Sequence, residues 1–517
     1  MMMNGAESLL HTLVHGGVEV CFMNPGTSEM QFVAAVDRVA GMRCVLGLFE
    51  GVVAGAADGY ARMSNKPAAT LLHLGPGLAN ALANFHNARR ARVPIVNIIG
   101  EHATYHRQCD PPLHSDIAGL AQYVSGWIAT VEDPKQISAL THAAVRAAMG
   151  PPGQIATLII PADCTWAESS LPITLPVMQP APPAIDSQAI DAAAKILLSG
   201  EPAALIVQGN ALLDEGLMLA SRIRRKTGAR VLCDCFVPRI QRGAGRATIE
   251  IIPYFIESAL QLLQELKHVI LIGTKPPVGF FAYPGLPNRL LPTGCHVQTL
   301  SQPGDDAITV LQQLLDATGS GKTDPVRQPL QRPQLPSGDL TPQTIAQSLA
   351  ALIPDHAIIA DEAITSGADL LAATTHAPPH DWLFNCGGSL GQGLPVATGA
   401  AVACPDRKVL SLEADGSGMY TLQALWTQAR ESLDVTTVIY ANRQYRILNI
   451  EHQRVGAGPP GTKARDMMSL DRPELDWVKL AQGLGIPAKR VTTAEEFNKT
   501  LQGYLSEPGP NLIEAII

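Results

Sequence analysis

Two oxygen ligands at the spacing of one structural unit give the first chemical reading of the chain. Asp415 and Asn442 lie 27 positions apart, about the length of a strand, a helix and a second strand. An apolar run at 409–413 reads as a buried strand. The chain then turns through Asp415, Gly416 and Ser417 into a helical pattern at 421–429, and a β-branched run at 435–440 leads to Asn442. Ligands bind at the carboxyl ends of strands joined this way. The carboxylate and the amide oxygen are therefore expected side by side at a sheet edge. Gly416 permits close backbone approach, and the N–H groups of Gly416 and Ser417 at a helix start can hold phosphate oxygens. A carboxylate, an amide oxygen and a diphosphate make a Mg²⁺ site, because Mg²⁺ takes oxygen ligands and shares them with phosphates.

Other residues carry chemistry at strand ends. Glu50 follows an apolar run at 44–49 and precedes a segment with Gly51, Gly55 and Gly59 at helical spacing. It reads either as a helix cap or as a buried carboxylate that exchanges a proton with a ring nitrogen. The three glycines allow close approach of another helix, one expected from a second subunit. His73 stands before Gly75-Pro76-Gly77, with Asn80 beyond; it suits proton transfer or a structural hydrogen bond. Asn24-Pro25-Gly26-Thr27 is a strand-end turn. His102, His106 and His114 share an irregular segment with Asp110 and Asp116; it reads as a substrate-facing loop, with a metal site as the alternative. Gly387-Gly388-Ser389-Leu390-Gly391-Gln392-Gly393 is glycine-rich but lacks the spacing of a dinucleotide fingerprint.

The elements that must position these residues alternate in type. The 517 residues suffice for about three domains, and 46% are apolar against 16% charged. A net charge of −8 without a basic block sets aside nucleic acid and an anionic membrane surface as partners. Nine scattered cysteines and a start without a basic signal-peptide region fit a cytoplasmic protein with free thiols. No apolar stretch reaches membrane-spanning length unbroken. Proline-rich stretches at 171–183 and 324–336 read as linkers. They leave blocks at 1–170, 187–320 and 338–517. Strands are expected at 18–23, 44–49, 69–73, 94–100 and 157–161 in the first block. The middle block has 204–208, 230–234 and 269–273, and the last adds 357–361 and 512–516 to those above. The fold class is α/β, with three doubly wound parallel-sheet domains.

Taken in order, Asn24-Pro25-Gly26-Thr27, Glu50, Gly388-Ser389-Leu390-Gly391, Asp415-Gly416-Ser417 and Asn442 resemble the motifs of thiamine-diphosphate-dependent enzymes. The group is that of acetolactate synthase, pyruvate oxidase and benzoylformate decarboxylase. The likeness covers essentially the whole chain. It implies a pyrimidine-binding domain at 1–170, a middle domain at 187–320 without a functional nucleotide site, and a diphosphate-binding domain at 338–517. Asp415, Asn442 and the Gln444 carbonyl would ligate Mg²⁺. Gly416, Ser417 and the turn at Ile364 and Thr365 would hold the diphosphate. Leu390 would bend the cofactor, the Gly388 carbonyl would accept from its aminopyrimidine, and Glu50 of a neighbouring subunit would protonate the pyrimidine. Asn24, Pro25, Gly26, Asn80, Ser389 and Tyr445 complete the expected cofactor contacts. Three positions depart from the pattern: Ala414 for a glycine, Ala441 for an asparagine, and Arg443, which would place a cation near the diphosphate.

Within the group, His73 falls where benzoylformate decarboxylase has a proton-transferring histidine, and Thr27 where it has a substrate-contacting serine. That enzyme's second histidine would fall within 278–283, where there is none. Lysine and Phe-Gln-Glu features of acetolactate synthase are also replaced, around Ala162 and around Leu113-His114. The resemblance implies non-oxidative decarboxylation of a 2-oxo acid through a cofactor-bound enamine, without FAD, in a homo-oligomer (a tetramer) whose sites lie at dimer interfaces. Ile447, Glu451 and the 102–116 loop would decide between a proton and a second carbonyl as the enamine's partner. The alternatives are an acetolactate synthase-like carboligase, which joins the enamine to that carbonyl compound, and a non-catalytic homologue acting as a binding or regulatory subunit.

Overall fold

Short apolar runs closed by glycine and polar turns build three sheets in a computed structural model that describes residues 3–177 and 185–517. Positions 178–183 of the first proline-rich stretch lie outside the described residues. The first sheet contains β1 (Val20–Asn24), β2 (Arg43–Leu46), β3 (Ala68–His73), β4 (Ile95–Glu101), β5 (Trp127–Thr130) and β6 (Ile155–Pro161). Their order is β2-β1-β3-β4-β6-β5, all parallel. The five expected strands are present. β5 was not anticipated, because this four-residue edge strand is only half-buried and shows neither a full apolar run nor a clean alternation.

β7 (Ala203–Val207), β8 (Arg230–Cys233), β9 (Ile240–Arg242), β10 (Glu250–Ile251), β11 (His268–Ile272) and β12 (His296–Ser301) follow. Five of them form the second sheet, in parallel order β10-β8-β7-β11-β12. β9 instead joins the third sheet. There it pairs antiparallel with β14 (His380–Phe384), Ile240 opposite Trp382. The remaining strands are β13 (Ile358–Glu362), β15 (Val409–Ala414), β16 (Val435–Ala441), β17 (Ala488–Val491) and β18 (Asn511–Ile516), in order β17-β18-β16-β15-β13-β14-β9. The architecture is α/β with parallel-dominated sheets, as read from the alternation, although a strand from the middle block edges the third sheet. Among the described residues no helix is long and apolar enough to cross a membrane.

One helix pair ties the first sheet to the third. Helix Glu50–Ser64 packs on helix Gly393–Ala403, and both are buried over nearly their whole length. A Cβ on Gly55 would lie 2.6 Å from Pro395 Cβ. A Cβ on Gly59 would run into the Val396 carbonyl, and one on Gly399 into that of Ala56. The close-packing glycines therefore receive a helix of the same chain, not one from a second subunit as the spacing alone led us to expect.

A buried ion pair locks this contact to the middle block. Asp58 and Arg62 pair with side chains fully shielded from solvent. Arg62 Nη1 also donates to Phe384 O at 2.7 Å and to Pro238 O at 3.1 Å. Gln392 Nε2 donates to Asp58 at 2.8 Å. Arg239 extends the network from Arg62 O at 3.0 Å to Asp381 at 2.6 Å. Removing one partner of such a pair would cost about 3–5 kcal/mol, since the other charge stays buried.

The helix contact predicts opposite outcomes for two glycine-to-alanine substitutions. Gly59→Ala forces the helices apart and destabilises by about 1–3 kcal/mol, read as a lower thermal midpoint. Gly503→Ala, in exposed space on helix Ala494–Ser506, stabilises by up to about 1 kcal/mol. Equal midpoints for the two variants would refute the close-approach role of Gly59.

Candidate active site

Sheet order places the expected metal residues next to one another. β16, β15 and β13 are neighbours, so Asn442, Asp415 and Glu362 meet at one edge. Asp415 opens the short helix Asp415–Gly418. Its Oδ1 accepts from the Gly416 N–H at 2.9 Å and its Oδ2 from the Arg443 N–H at 2.6 Å, so the carboxylate bridges the ends of β15 and β16. Burial pushes this carboxyl up to about 6, against those two N–H bonds. Asn442 Oδ1 accepts from the Gln444 N–H at 3.0 Å. The strand-like pairing of this segment uses the Arg443 carbonyl and the Tyr445 N–H and does not use the Gln444 carbonyl. Gly416 lies against the Tyr445 ring, where a Cβ would be 2.5 Å from Cε1.

The Arg443 guanidinium pairs with Glu474 at 2.9 Å, and its charge still acts on Asp415, drawing that carboxyl down against burial. The Ser417 hydroxyl turns inward and donates to Glu413, so of its polar groups the N–H is the one to face an anion, as expected.

The glycine-rich loop before helix Gly393–Ala403 is held by residues that sequence reasoning missed. Glu362 Oε2 accepts from the N–H groups of Gly391, Gln392 and Gly393 at 3.2, 2.9 and 2.8 Å, a carboxylate placed at a helix start. Asn385 Nδ2 donates to Glu362 and to the Ser389 carbonyl, 2.9 and 2.8 Å. Asn87 takes the Ser389 N–H and donates to the Ser389 carbonyl. Asn84 donates both to Gly51 O at 2.8 Å and to Gly391 O at 3.1 Å. Gly388 has φ +77°, and Leu390 is half-buried in this loop. Ile364, before Thr365, has φ +51°; a β-branched residue in that region is strained, and such strain gathers at ligand sites.

Glu50 directly precedes Gly51, whose carbonyl Asn84 holds. It is buried at the first position of its helix, where no side chain caps the N-terminus. Its oxygens accept instead from Asn24 Nδ2 at 3.1 Å and Asn80 Nδ2 at 2.9 Å. The cap reading of Glu50 therefore falls away. His73 Nδ1 bonds Glu29 Oε2 at 2.9 Å and lies 3.1 Å from Ser28 Oγ. Glu29, also missed, is buried and accepts from the Gly26 N–H at 2.7 Å. Gly26 is needed because a Cβ would overlap the His73 ring. The Glu29 bond holds the His73 pKa above its ordinary 6.5, against burial, with Glu50 adding a further favourable charge. Leu74, directly after His73, has φ +52°, a second strained strand end. Thr27 is exposed beside Pro25 and Gly26. Gly75, Pro76 and Gly77 lie inside the first turn of helix Leu74–Ala91 rather than in a separate turn.

The histidine loop does not form a metal centre. Among the described residues no group of three or more His, Cys, Asp or Glu is placed to hold an ion. Ser115 crowds Gly75, which puts this loop over the helix start beside His73. Of Glu29, Asn84, Asn87 and Glu362, only Glu362 left a signal in the sequence, a carboxylate at the end of an apolar strand, where burial without a partner is costly. Asn84 and Asn87 sit in a helix with other polar residues and Glu29 in a polar turn, so nothing in the sequence set them apart.

Comparison with known proteins fits this geometry. Residues 3–124 match the thiamine pyrophosphate enzyme N-terminal TPP binding domain, and residues 367–515 match its C-terminal TPP binding domain. A Mycobacterium tuberculosis protein provisionally named acetolactate synthase large subunit IlvX is 52% identical over 516 residues, covering 100% of this chain and 99% of its own. Benzoylformate decarboxylase of Pseudomonas aeruginosa is 28% identical, covering 96% of each chain. The thiamine diphosphate-dependent 4-hydroxybenzoylformate decarboxylase of Rhodococcus jostii superposes with a TM-score of 0.83 at 22% identity, over 99% of this chain and 98% of that one.

The Glu29–His73 pair sets a pH dependence. The raised His73 pKa makes its contribution to stability fully present below 6.5 and lost as pH rises through the folded value. In Glu29→Gln, NMR titration of the His73 ring gives a lower pKa than in the parent. The gap in thermal midpoint between the two proteins narrows as pH rises. Identical His73 titrations would dismiss the pair.

Proposed function

The chain belongs to the thiamine pyrophosphate enzyme family, and from that premise we propose that it decarboxylates a 2-oxo acid non-oxidatively to an aldehyde, using thiamine diphosphate and Mg²⁺. The observation that carries the decarboxylase reading is the Glu29–His73 pair. Decarboxylation must end by placing a proton on carbon, and His73 is a histidine whose proton affinity is raised by its hydrogen bond to a buried carboxylate.

The residues fit the cofactor. Asp415, Asn442 and the Gln444 carbonyl form an all-oxygen donor set of the kind Mg²⁺ takes. Gly416 and Ser417 N–H groups and the strained turn at Ile364 and Thr365 would face the diphosphate. Gly388, Ser389 and Leu390 would line the ring side, and Tyr445 backs Gly416. When bound, thiamine diphosphate supplies the electron sink for the carbon that carbon dioxide leaves. Glu50, oriented by Asn24 and Asn80 through both carboxylate oxygens, would hold a proton at the pyrimidine ring. Pro25, Gly26 and Thr27 would border the reacting carbon beside His73. The pairing of Glu50 from one protomer with Asp415 from another follows from the family likeness and makes the functional unit at least a dimer, with a tetramer as the assembly.

The second reading is carboligation, favoured by the 52% identity to the protein named as an acetolactate synthase subunit. It differs only in whether a proton or a second carbonyl compound is admitted. A non-catalytic homologue is disfavoured because a buried carboxylate with two dedicated amide donors has no role in packing.

Four measurements test the proposal. With 2-oxo acids and added cofactor, aldehyde is the main product; acyloin or acetolactate in its place overturns the decarboxylase reading. Glu50→Gln lowers turnover by about 10²-fold or more while cofactor still quenches protein fluorescence. Asp415→Asn, or chelation of the metal in the parent, abolishes that quenching at cofactor levels that saturate the Mg²⁺ form. Mixed dimers of the two inactive variants regain activity if each site draws on two chains.

A further inference from the structure

A cavity of about 570 Å³ opens between the middle block and the third sheet. Its walls are largely apolar and include Phe236, Ile249, Ile251, Tyr254, Leu371 and Phe384. Glu362, Ile364 and Asn385 line it as well, so it adjoins the turn expected to hold the diphosphate. Gly26, Thr27 and His73 are not among its walls, which separates it from the residues placed at the reacting carbon. Arg242, on β9, is the one cation in the walls.

Neighbouring elements fix the Arg242 guanidinium and leave one of its donors unmet. Nη2 donates to the Leu371 carbonyl and lies 3.4 Å from Thr375 Oγ1. The guanidinium carbon sits over the Trp382 ring, 5.3 Å from its centroid. Nη1 is shielded from solvent and has no hydrogen-bond partner among the described residues. A buried charged group with an unmet donor is costly. Neither acid of the walls bonds it. Asp361 accepts instead from the Ala363 N–H at 3.1 Å and from Trp382 Nε1 at 3.2 Å. Glu362 is taken up by Asn385 and the N–H groups of the glycine-rich loop. The Tyr254 hydroxyl donates to Glu451 Oε1 at 3.4 Å. Burial draws the Arg242 pKa down to about 10, against the favourable charge of Asp361, so the group is still a cation at neutral pH.

We propose that this cavity is a second ligand site, apart from the reacting carbon, and that it takes a monocarboxylate with an apolar body, the carboxylate bound by Arg242. The space is of ligand-pocket size. A carboxylate supplies the acceptor that Nη1 lacks, and a charge-assisted bond to a guanidinium is among the stronger hydrogen bonds. The apolar walls take the rest of the ligand out of water. Asp361 and Glu362 repel a second negative charge, which favours a monoanion over a phosphate dianion. The site goes beyond the proposed function and holds whichever reaction the cofactor performs.

The probes are 4-methylpentanoate, its neutral amide 4-methylpentanamide, and inorganic phosphate. Each is titrated calorimetrically into the full chain loaded with thiamine diphosphate and Mg²⁺. 4-Methylpentanoate lacks the 2-oxo group and is not turned over. It binds, and the amide and phosphate bind more weakly by about 10-fold or more. Arg242→Gln weakens 4-methylpentanoate by about 10-fold or more, and Arg242→Lys, which keeps the charge, recovers part of the affinity. Ala372→Phe fills the cavity from an exposed position in its wall and keeps Arg242. It abolishes 4-methylpentanoate binding while its thermal midpoint and cofactor quenching match the parent's. If Arg242→Gln does not fold, Ala372→Phe decides alone. No binding to the parent, equal affinity for acid and amide, tighter binding of phosphate, or binding unmoved by Ala372→Phe overturns the inference. None of these outcomes touches the decarboxylase reading, which stands or falls on the products formed from 2-oxo acids.

Discussion

The backbone-to-backbone contact between helices Glu50–Ser64 and Gly393–Ala403 is the constraint from which the site follows. Gly59 and Gly399 remove the side chains that would hold the two helices a normal distance apart. The first residues of each helix, Glu50 in one and the segment entered through Gly391 in the other, come close enough for a single amide, Asn84, to bridge Gly51 and Gly391. The first and third sheets are thereby joined at the ends where their strands deliver polar residues. Asp58 and Arg62 extend the junction to the middle block through backbone carbonyls of Pro238 and Phe384.

Buried carboxylates organise what lies around that junction. Glu362, Glu29 and Glu50 each have a specific set of donors, as burial of charge demands. Glu362 collects three N–H groups and so shapes the glycine-rich loop. Glu29 positions His73 and raises its proton affinity. Glu50 is held by two amides, Asn24 and Asn80, which aim its oxygens. Ile364, exposed, and Leu74, buried, both hold positive φ just after strands β13 and β3. Strain at those points is sustained by the surrounding packing and coincides with the two strand ends that carry chemistry.

The middle block has a role beyond spacing the other two. It lends β9 to the third sheet and, with Phe236, Arg242 and Tyr254, one wall to the cavity beside Ile364. The helix that begins after Tyr445 secures Tyr254 and Tyr283 through Glu451.

The sequence by itself determined the fold class, the alternation of strands and helices, and the Asp415–Asn442 pair. Those features are written locally, in apolar runs, in turn residues and in a spacing set by the length of one βαβ unit. It also singled out Glu50 and His73 as strand-end residues but left each with two readings. Only the tertiary structure supplied their partners, Asn24 and Asn80 for Glu50 and Glu29 for His73, residues brought near by strand pairing rather than by adjacency. Weak edge strands such as β5 and β12 and the detour of β9 were equally illegible, since their polarity is set by what covers them. The glycine spacing of helix Glu50–Ser64 announced a close partner, and three-dimensional packing alone identified that partner as a helix more than 300 residues onward in the same chain.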